Sequence, residues 1–185
     1  MDMSHAAVQI AALGSADKRV ADRLADRLAG LGQALAQAGA VVLTGAGGGV
    51  GDAVARAARE AGALCLGVSP FASPAEHDRV LGPKPDCFAA MLYTGFGFKG
   101  RNVVLVRSAD AVVSAHGESG TLNELTIAYD TRRPIGLFAG TGGITDRAAD
   151  LFASFAKPGP PLAAHEDPDR LVAELVAAVR SRPGL

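Results

Sequence analysis

Short β-prone runs alternate with amphipathic stretches along nearly the whole chain, and two of the junctions between them are dense in glycine. Val8 to Leu13 ends at Gly14-Ser15, and a helical pattern follows from about Asp17 to Ala38. In it Val20, Leu24, Leu28, Leu31 and Leu35 step by three or four residues, while Arg19, Asp22, Arg23, Asp26 and Arg27 hold the opposite face. Gly39 stops it. Ala40 to Leu43 reads as a strand, followed by a Gly-rich turn, an Ala-rich helix from about Val50 to Ala61, and a strand from Leu64 to Val68. Residues 70–86 carry four prolines (70, 74, 83, 85) and several charges, which predicts a surface loop. Beyond it the pattern predicts strands at Cys87 to Tyr93, Asp110 to Ala115 and Ile135 to Phe138, with helices at Lys99 to Arg107, Gly120 to Thr131 and Asp146 to Phe155. Lys157 to Pro161 reads as a linker before a closing helix from Pro168 to Arg182. This alternation predicts an α/β fold: one domain over residues 1–185, with a doubly wound, mainly parallel sheet flanked by helices.

Composition narrows the function. With 185 residues, 49% of them hydrophobic, the chain can bury a sizeable core and is too apolar for disorder. Its 37 Ala and 23 Gly leave 60 positions with almost no side chain, so helices can approach the sheet closely and backbone can approach a ligand. No apolar run nears the ~20 residues that span a bilayer, so a membrane protein is not expected. A net charge of -1 supplies no global field for nucleic acid or an anionic membrane. Cys65 and Cys87 lie in apolar stretches and read as small core residues. Met1 to His5 lacks the cationic start of a signal peptide. Together these predict a reduced, cytoplasmic setting.

Ligands of a doubly wound sheet bind beyond the carboxyl ends of its strands. The first Gly-rich junction there is Thr44-Gly45-Ala46-Gly47-Gly48-Gly49-Val50-Gly51-Asp52. Its glycines can turn N–H groups toward an anion at a helix start. No Gly-Lys-Ser/Thr follows, so it is not a P-loop, and Val50 stands where a dinucleotide fingerprint needs its third glycine. A bare turn remains the alternative, but five glycines in seven positions exceed what a turn needs. Gly47, Gly48 and Gly49 are therefore candidates for binding a mononucleotide or phosphate. Gly14 and Ser15, on the first strand-to-helix turn, are further candidates, with helix capping the other reading of Ser15. The second junction is His116-Gly117-Glu118-Ser119-Gly120-Thr121-Leu122-Asn123-Glu124. Gly117, Ser119, Gly120 and Thr121 could supply donors at a helix start, with Glu124 nearby. A capping box between Thr121 and Glu124 is the structural alternative.

A Gly-rich first loop, an Arg at the start of a middle helix, then Gly-x-x-Gly-Thr-x-x-Glu resembles the Lonely Guy phosphoribohydrolases. The likeness runs from Val8 to about Gly136, and the stretch Gly100 to Val113 is especially similar to their bacterial nucleotide-binding relatives. The resemblance implies a Rossmann-like domain that cleaves the N-glycosidic bond of nucleoside 5'-monophosphates, without a cofactor, to free base and ribose 5-phosphate. That family's motif is Pro-Gly-Gly-x-Gly-Thr-x-x-Glu, and its essential Glu and upstream Arg fall on Glu124 and Arg101. A homodimer joined through helices near the site is also implied. The chemistry is consistent, because glycosidic cleavage builds positive charge on the sugar that a carboxylate stabilises, and the same carboxylate can deprotonate water. Arg101 stays protonated near neutrality, so it would pair with Glu124 or bind phosphate.

Two positions depart from the motif: His116 replaces the proline and Glu118 the second glycine. A side chain at 118 is strained if that site needs positive φ. A carboxylate about 5 Å from a phosphate, at an effective dielectric near 20, repels it by roughly 3 kcal/mol per unit charge. The competing reading is a non-catalytic protein that binds a nucleotide or a molybdenum-cofactor pterin phosphate, since related folds include such carriers. Single-stranded nucleic-acid binding is a third reading, disfavoured by the charge balance. Glu76-His77-Asp78 has no partner at ligand spacing and predicts a solvated loop, not a metal site. His5 and His165 read as surface residues.

Overall fold

Seven strands form one all-parallel sheet in the order β4-β3-β2-β1-β5-β6-β7, in a computed structural model that describes residues 7–182. Met1 to His5, with the readings made of them, lie outside the described residues. The strands are β1 (Gln9–Gly14), β2 (Val41–Thr44), β3 (Cys65–Ser69), β4 (Ala90–Tyr93), β5 (Ala111–Ala115), β6 (Ile135–Phe138) and β7 (Leu162–His165). Every neighbouring pair runs parallel. The helices are α1 (Lys18–Arg23), α2 (Ala25–Gln37), α3 (Gly49–Glu60), α4 (Pro74–Leu81), α5 (Gly97–Ser108), α6 (Ser119–Asp130), α7 (Ala148–Ala153) and α8 (Pro168–Arg180). The chain has a Rossmann-like α/β fold, as the alternation predicts.

Period-2 alternation divides the core between the two faces of the sheet. Ile10 and Ala12 of β1 pack with Val42, Val113 and the apolar sides of α1, α2, α3 and α8. Ala11 and Leu13 turn the other way, with Val112, Leu137 and residues of α5, α6 and α7. All five residues of β5 are buried, as a central strand covered on both faces must be. The small residues act as expected at the α2–α3 contact. A β-carbon on Gly32 would stand 2.6 Å from the Val54 carbonyl oxygen, so any larger residue would push the helices apart.

Four predicted elements differ. The long first helix breaks at Leu24, whose backbone (φ -102, ψ 11) ends α1 and begins α2. Residues 70–86 are not all loop, because Pro74 takes the first helical position of α4, where its missing N–H costs nothing. Ser73 caps that helix by accepting the Glu76 N–H, and Glu76 accepts the Ala72 N–H in return. His77, on α4, is buried and bonded to the Ser69 hydroxyl at 2.9 Å, so the Glu76-His77-Asp78 stretch is helical and not a solvated loop. The predicted linker is followed by β7, a four-residue edge strand that pairs with β6. The predicted Asp146 to Phe155 helix begins as a 3-10 turn, Thr145–Arg147, before α7. No helix among the described residues is long and apolar enough to cross a membrane.

Candidate functional site

Strand order reverses between β1 and β5, so the segments leaving Gly14 and Ala115 diverge to opposite faces and open a crevice. A cleft of about 400 Å3 lies there. It brings together Gly14, Ser15, Gly47, Arg101, Ser119, Gly120, Thr121 and Glu124, all singled out in the sequence, with Phe98, Lys99, Asn102 and Glu118. A chamber of about 60 Å3, room for a few water-sized groups, adjoins it and adds Gly45, Gly48 and Asp52 to Arg101 and Glu124. Two candidates lie apart from the cleft. Gly49 is packed against the Ser15–Ala16 backbone, with a β-carbon there only 2.6 Å from the Ala16 carbonyl carbon. Gly117 lines a neighbouring cleft between α6 and the 142–147 turn.

Arg101 and Glu124 stand on α5 and α6 and are each 8% exposed. They are not an ion pair: the pairs within 4 Å among the described residues all lie elsewhere. Arg101 donates from Nη1 to the Val68 carbonyl at 3.1 Å. Burial pulls its pKa down, while the Glu124 and Asp52 carboxylates pull it up. Burial pushes the Glu124 carboxyl up to about 7, against the opposing fields of Arg101 and Lys99. Such a group gains and loses a proton near neutrality, as a general acid–base needs.

Asn102 completes the surroundings of Glu124. Its amide terminus lies 2.9 Å from the Phe98 carbonyl, which can only accept, so that terminus is the nitrogen. The same nitrogen then donates to Glu124 Oε1 at 3.1 Å. Asp52 is likewise buried. It accepts the Gly48 N–H at 3.0 Å and the Thr44 hydroxyl at 3.4 Å, and desolvation raises its pKa against those two bonds. Sequence reading singled out neither residue. Asp52 could have been found as the only charged residue of the first Gly-rich junction, whereas Asn102 carried no signal.

The helix α6 begins at Ser119, which places Thr121 inside the first turn and excludes the Thr121–Glu124 capping box. The N-cap is Glu118, which offers no side-chain cap, so the first N–H groups of α6 face the cleft unclaimed by it. Ser15 does not cap α1 either, since Asp17 does. Its hydroxyl accepts the Asp17 N–H and its carbonyl accepts the Val50 N–H. Glu118 is exposed with φ -134, so the strain anticipated there is absent. Positive φ falls instead on His116 (55°) and Gly117 (91°). The His116 N–H donates to the Thr141 hydroxyl oxygen, the Ile144 N–H to the Gly117 carbonyl and the Thr145 N–H to the His116 carbonyl, while the His116 Nδ1 is buried with no partner among the described residues. His165 is half-buried and paired with Glu174.

Comparison with known proteins agrees with the fold. The family model described as LDcluster4, the SLOG cluster4 family, matches residues 7–172. An uncharacterized protein of Archaeoglobus fulgidus is 33% identical over 99 residues, which cover 53% of this chain and 59% of the archaeal protein. The chain thus matches under two thirds of that relative's length. The crystal structure of TM1055 is similar at a TM-score of 0.76 and 28% identity, covering 95% of this chain and 99% of that one. The Moco carrier protein of Chlamydomonas rheinhardtii shares the fold at a TM-score of 0.74 and 22% identity, covering 94% and 98%.

Proposed function

The chain belongs to the SLOG cluster4 family, and from its site we propose that it hydrolyses the N-glycosidic bond of nucleoside 5'-monophosphates. The observation that carries this reading is the meeting of Arg101 and Glu124, both buried, in one cleft at the switch point. Phosphate binds at the first N–H groups of α6, from Ser119 to Thr121, where the helix dipole favours an anion. Gly14, Ser15 and the 47–49 loop hold the ribose. As the bond from the ribose carbon to the base nitrogen breaks, its electrons leave with the base and positive charge grows on the sugar. Ionised Glu124 stabilises that charge and takes a proton from the attacking water, which it returns to the departing base. Arg101 holds the substrate's anionic oxygens. The hydrolysis needs no cofactor.

A second reading is a carrier that holds a phosphate-bearing pterin, such as the molybdenum cofactor, without turnover. The loop changed at His116 and at exposed Glu118, where the hydrolase motif has proline and glycine, departs from that motif and suits a different ligand. Likeness to the Chlamydomonas Moco carrier adds support through the fold. Neither reading involves nucleic acid, consistent with the net charge of -1. We also propose a homodimer, supported by apolar residues left exposed on β4 and α5, among them Leu92, Phe98 and Val103. Light scattering that returned a monomer at micromolar concentration would remove the dimer.

Release of free base and ribose 5-phosphate from a panel of nucleoside 5'-monophosphates separates the two readings. The hydrolase predicts turnover that falls by about two to four orders of magnitude in Arg101→Ala and in Glu124→Ala. No turnover in the unaltered protein, with retained binding of a nucleotide or pterin phosphate, leaves the carrier.

A further inference from the structure

Phe98 holds a large apolar ring half in solvent at a cleft that is otherwise polar. It is 51% exposed, and of the residues lining the cleft only Phe98 and half-buried Leu81 of α4 carry large apolar side chains; the rest are small, polar or charged. The ring is held in place from one side. Phe71 meets it in a T-shaped pair, with centroids 5.9 Å apart and planes at 81°, and Phe71 meets buried His77 in the same manner at 6.2 Å. His77 is bonded in turn to the Ser69 hydroxyl at 2.9 Å. A T-shaped partner covers at most one face of a ring, and Phe71 is the one aromatic neighbour of Phe98 among the described residues. At least one face of Phe98 therefore has no aromatic partner. Phe98 precedes Arg101 and Asn102 by three and four residues, so it shares their side of α5, one turn nearer the helix start. The Asn102 side-chain nitrogen bridges the Phe98 carbonyl at 2.9 Å and Glu124 Oε1 at 3.1 Å, so a single atom separates the Phe98 backbone from that carboxylate.

We propose that Phe98 is the platform on which the ligand's ring system stacks, with Leu81 packed beside it, and that the ligand is a phosphate ester carrying a fused bicyclic nitrogen heterocycle, a purine or a pterin in preference to a pyrimidine. A free phenyl face matches a flat π-system, and two fused rings cover it more fully than one. Stacking is indifferent to groups on the ring edge, so discrimination falls on ring size. One phenyl and one leucine offer too little apolar surface for an acyl chain. The proposal rests on the cleft taking a phosphate-bearing heterocycle, which the hydrolase and the carrier have in common, and not on bond cleavage. A dimer contact through α5 does not compete for this surface. Val103, five residues further along, points about 140° away around the helix axis and leaves the Phe98 side to the ligand.

The chain contains no tryptophan, so Phe98→Trp introduces a single indole at the platform and Val103→Trp a single indole away from it. Emission is read within milliseconds of mixing, before product accumulates. Adenosine 5'-monophosphate or neopterin monophosphate should quench Phe98→Trp, and uridine 5'-monophosphate should do so only at severalfold higher concentration. Ribose 5-phosphate should leave the emission unchanged, and Val103→Trp should respond to none of the four. Quenching by the pterin alone keeps the platform and removes the nucleotide reading. Quenching by adenosine monophosphate, with no base released by the unaltered protein, keeps the platform and removes the hydrolase. Quenching by neither bicyclic ligand, or equal quenching in the two variants, overturns the platform, and uridine monophosphate acting as well as adenosine monophosphate overturns the preference for fused rings. Should the indole variants not fold, Phe98→Ala serves. Its affinity for whichever bicyclic ligand the unaltered protein binds should fall roughly five- to 150-fold while that for ribose 5-phosphate holds. An equal loss for both, no loss, or no bicyclic ligand bound by the unaltered protein overturns the proposal.

Discussion

Arg101 occupies the space that a side chain at Gly45 would fill: a β-carbon there would stand 2.6 Å from the guanidinium carbon. The first Gly-rich junction therefore does more than turn the chain, because its second residue is the floor on which the site's cation rests. Gly45→Ala should dislodge Arg101 from the Val68 carbonyl while leaving most of the core intact. Binding of a nucleoside monophosphate, measured by calorimetry, should weaken by at least tenfold. Stability should fall by about 1–3 kcal/mol, the usual cost of overpacking. Unchanged binding would show that the guanidinium has an equally good second seat.

Glu124 makes stability depend on pH in a direction opposite to most carboxylates. Its folded-state pKa of about 7 lies above the ordinary 4.5, so between these values the folded protein holds a proton that the unfolded chain has lost. Its contribution to stability is full below about pH 4.5 and declines as pH rises through 7. The decline amounts to about 3 kcal/mol over that window. Glu124→Gln should consequently be more stable than the natural protein at pH 8, with the gap closing toward pH 4.5. Denaturant melts at several pH values check this, and a gap independent of pH would contradict it.

Asn102→Ala removes the donor that favours the charged form of Glu124. The Glu124 midpoint should move above about 7, read by carboxyl NMR or as an upward shift in the acid limb of any base-releasing activity.

Glu118→Gln tests the rim carboxylate separately from the backbone, since φ at 118 is negative and no strain is relieved. Affinity for a nucleoside monophosphate should rise several-fold at low ionic strength, and the gain should shrink at 0.5 M salt as screening takes over. A salt-independent or absent gain would mean that the bound phosphate lies beyond the reach of Glu118.

Much of this protein was legible before its coordinates. The 3.6- and 2-residue periods delivered β1, β2, β3, β5 and β6 and, apart from α4 and the break at Leu24, the helices between them, because apolar spacing reports directly on which face is buried. The motif positions delivered Arg101 and Glu124 as a candidate pair, and tertiary structure brought them into one cleft. Short elements were the ones missed. The Ser73-Pro74-Ala75-Glu76 start of α4 was masked by surrounding prolines, and β7 is an edge strand of four residues defined by pairing with β6 more than by its own pattern. What the sequence by itself determined is a doubly wound sheet with two glycine-rich strand-to-helix turns, since periodicity and backbone freedom are local properties. Only the tertiary structure decided that Arg101 rests on Gly45 and not on Glu124, that Asp52 shares its chamber, and that Asn102 bonds to Glu124. Those relations join residues from the turn after β2, α3, α5 and α6, and a buried charge takes its partner from whatever the packing brings within reach, a distance that no spacing along the chain encodes.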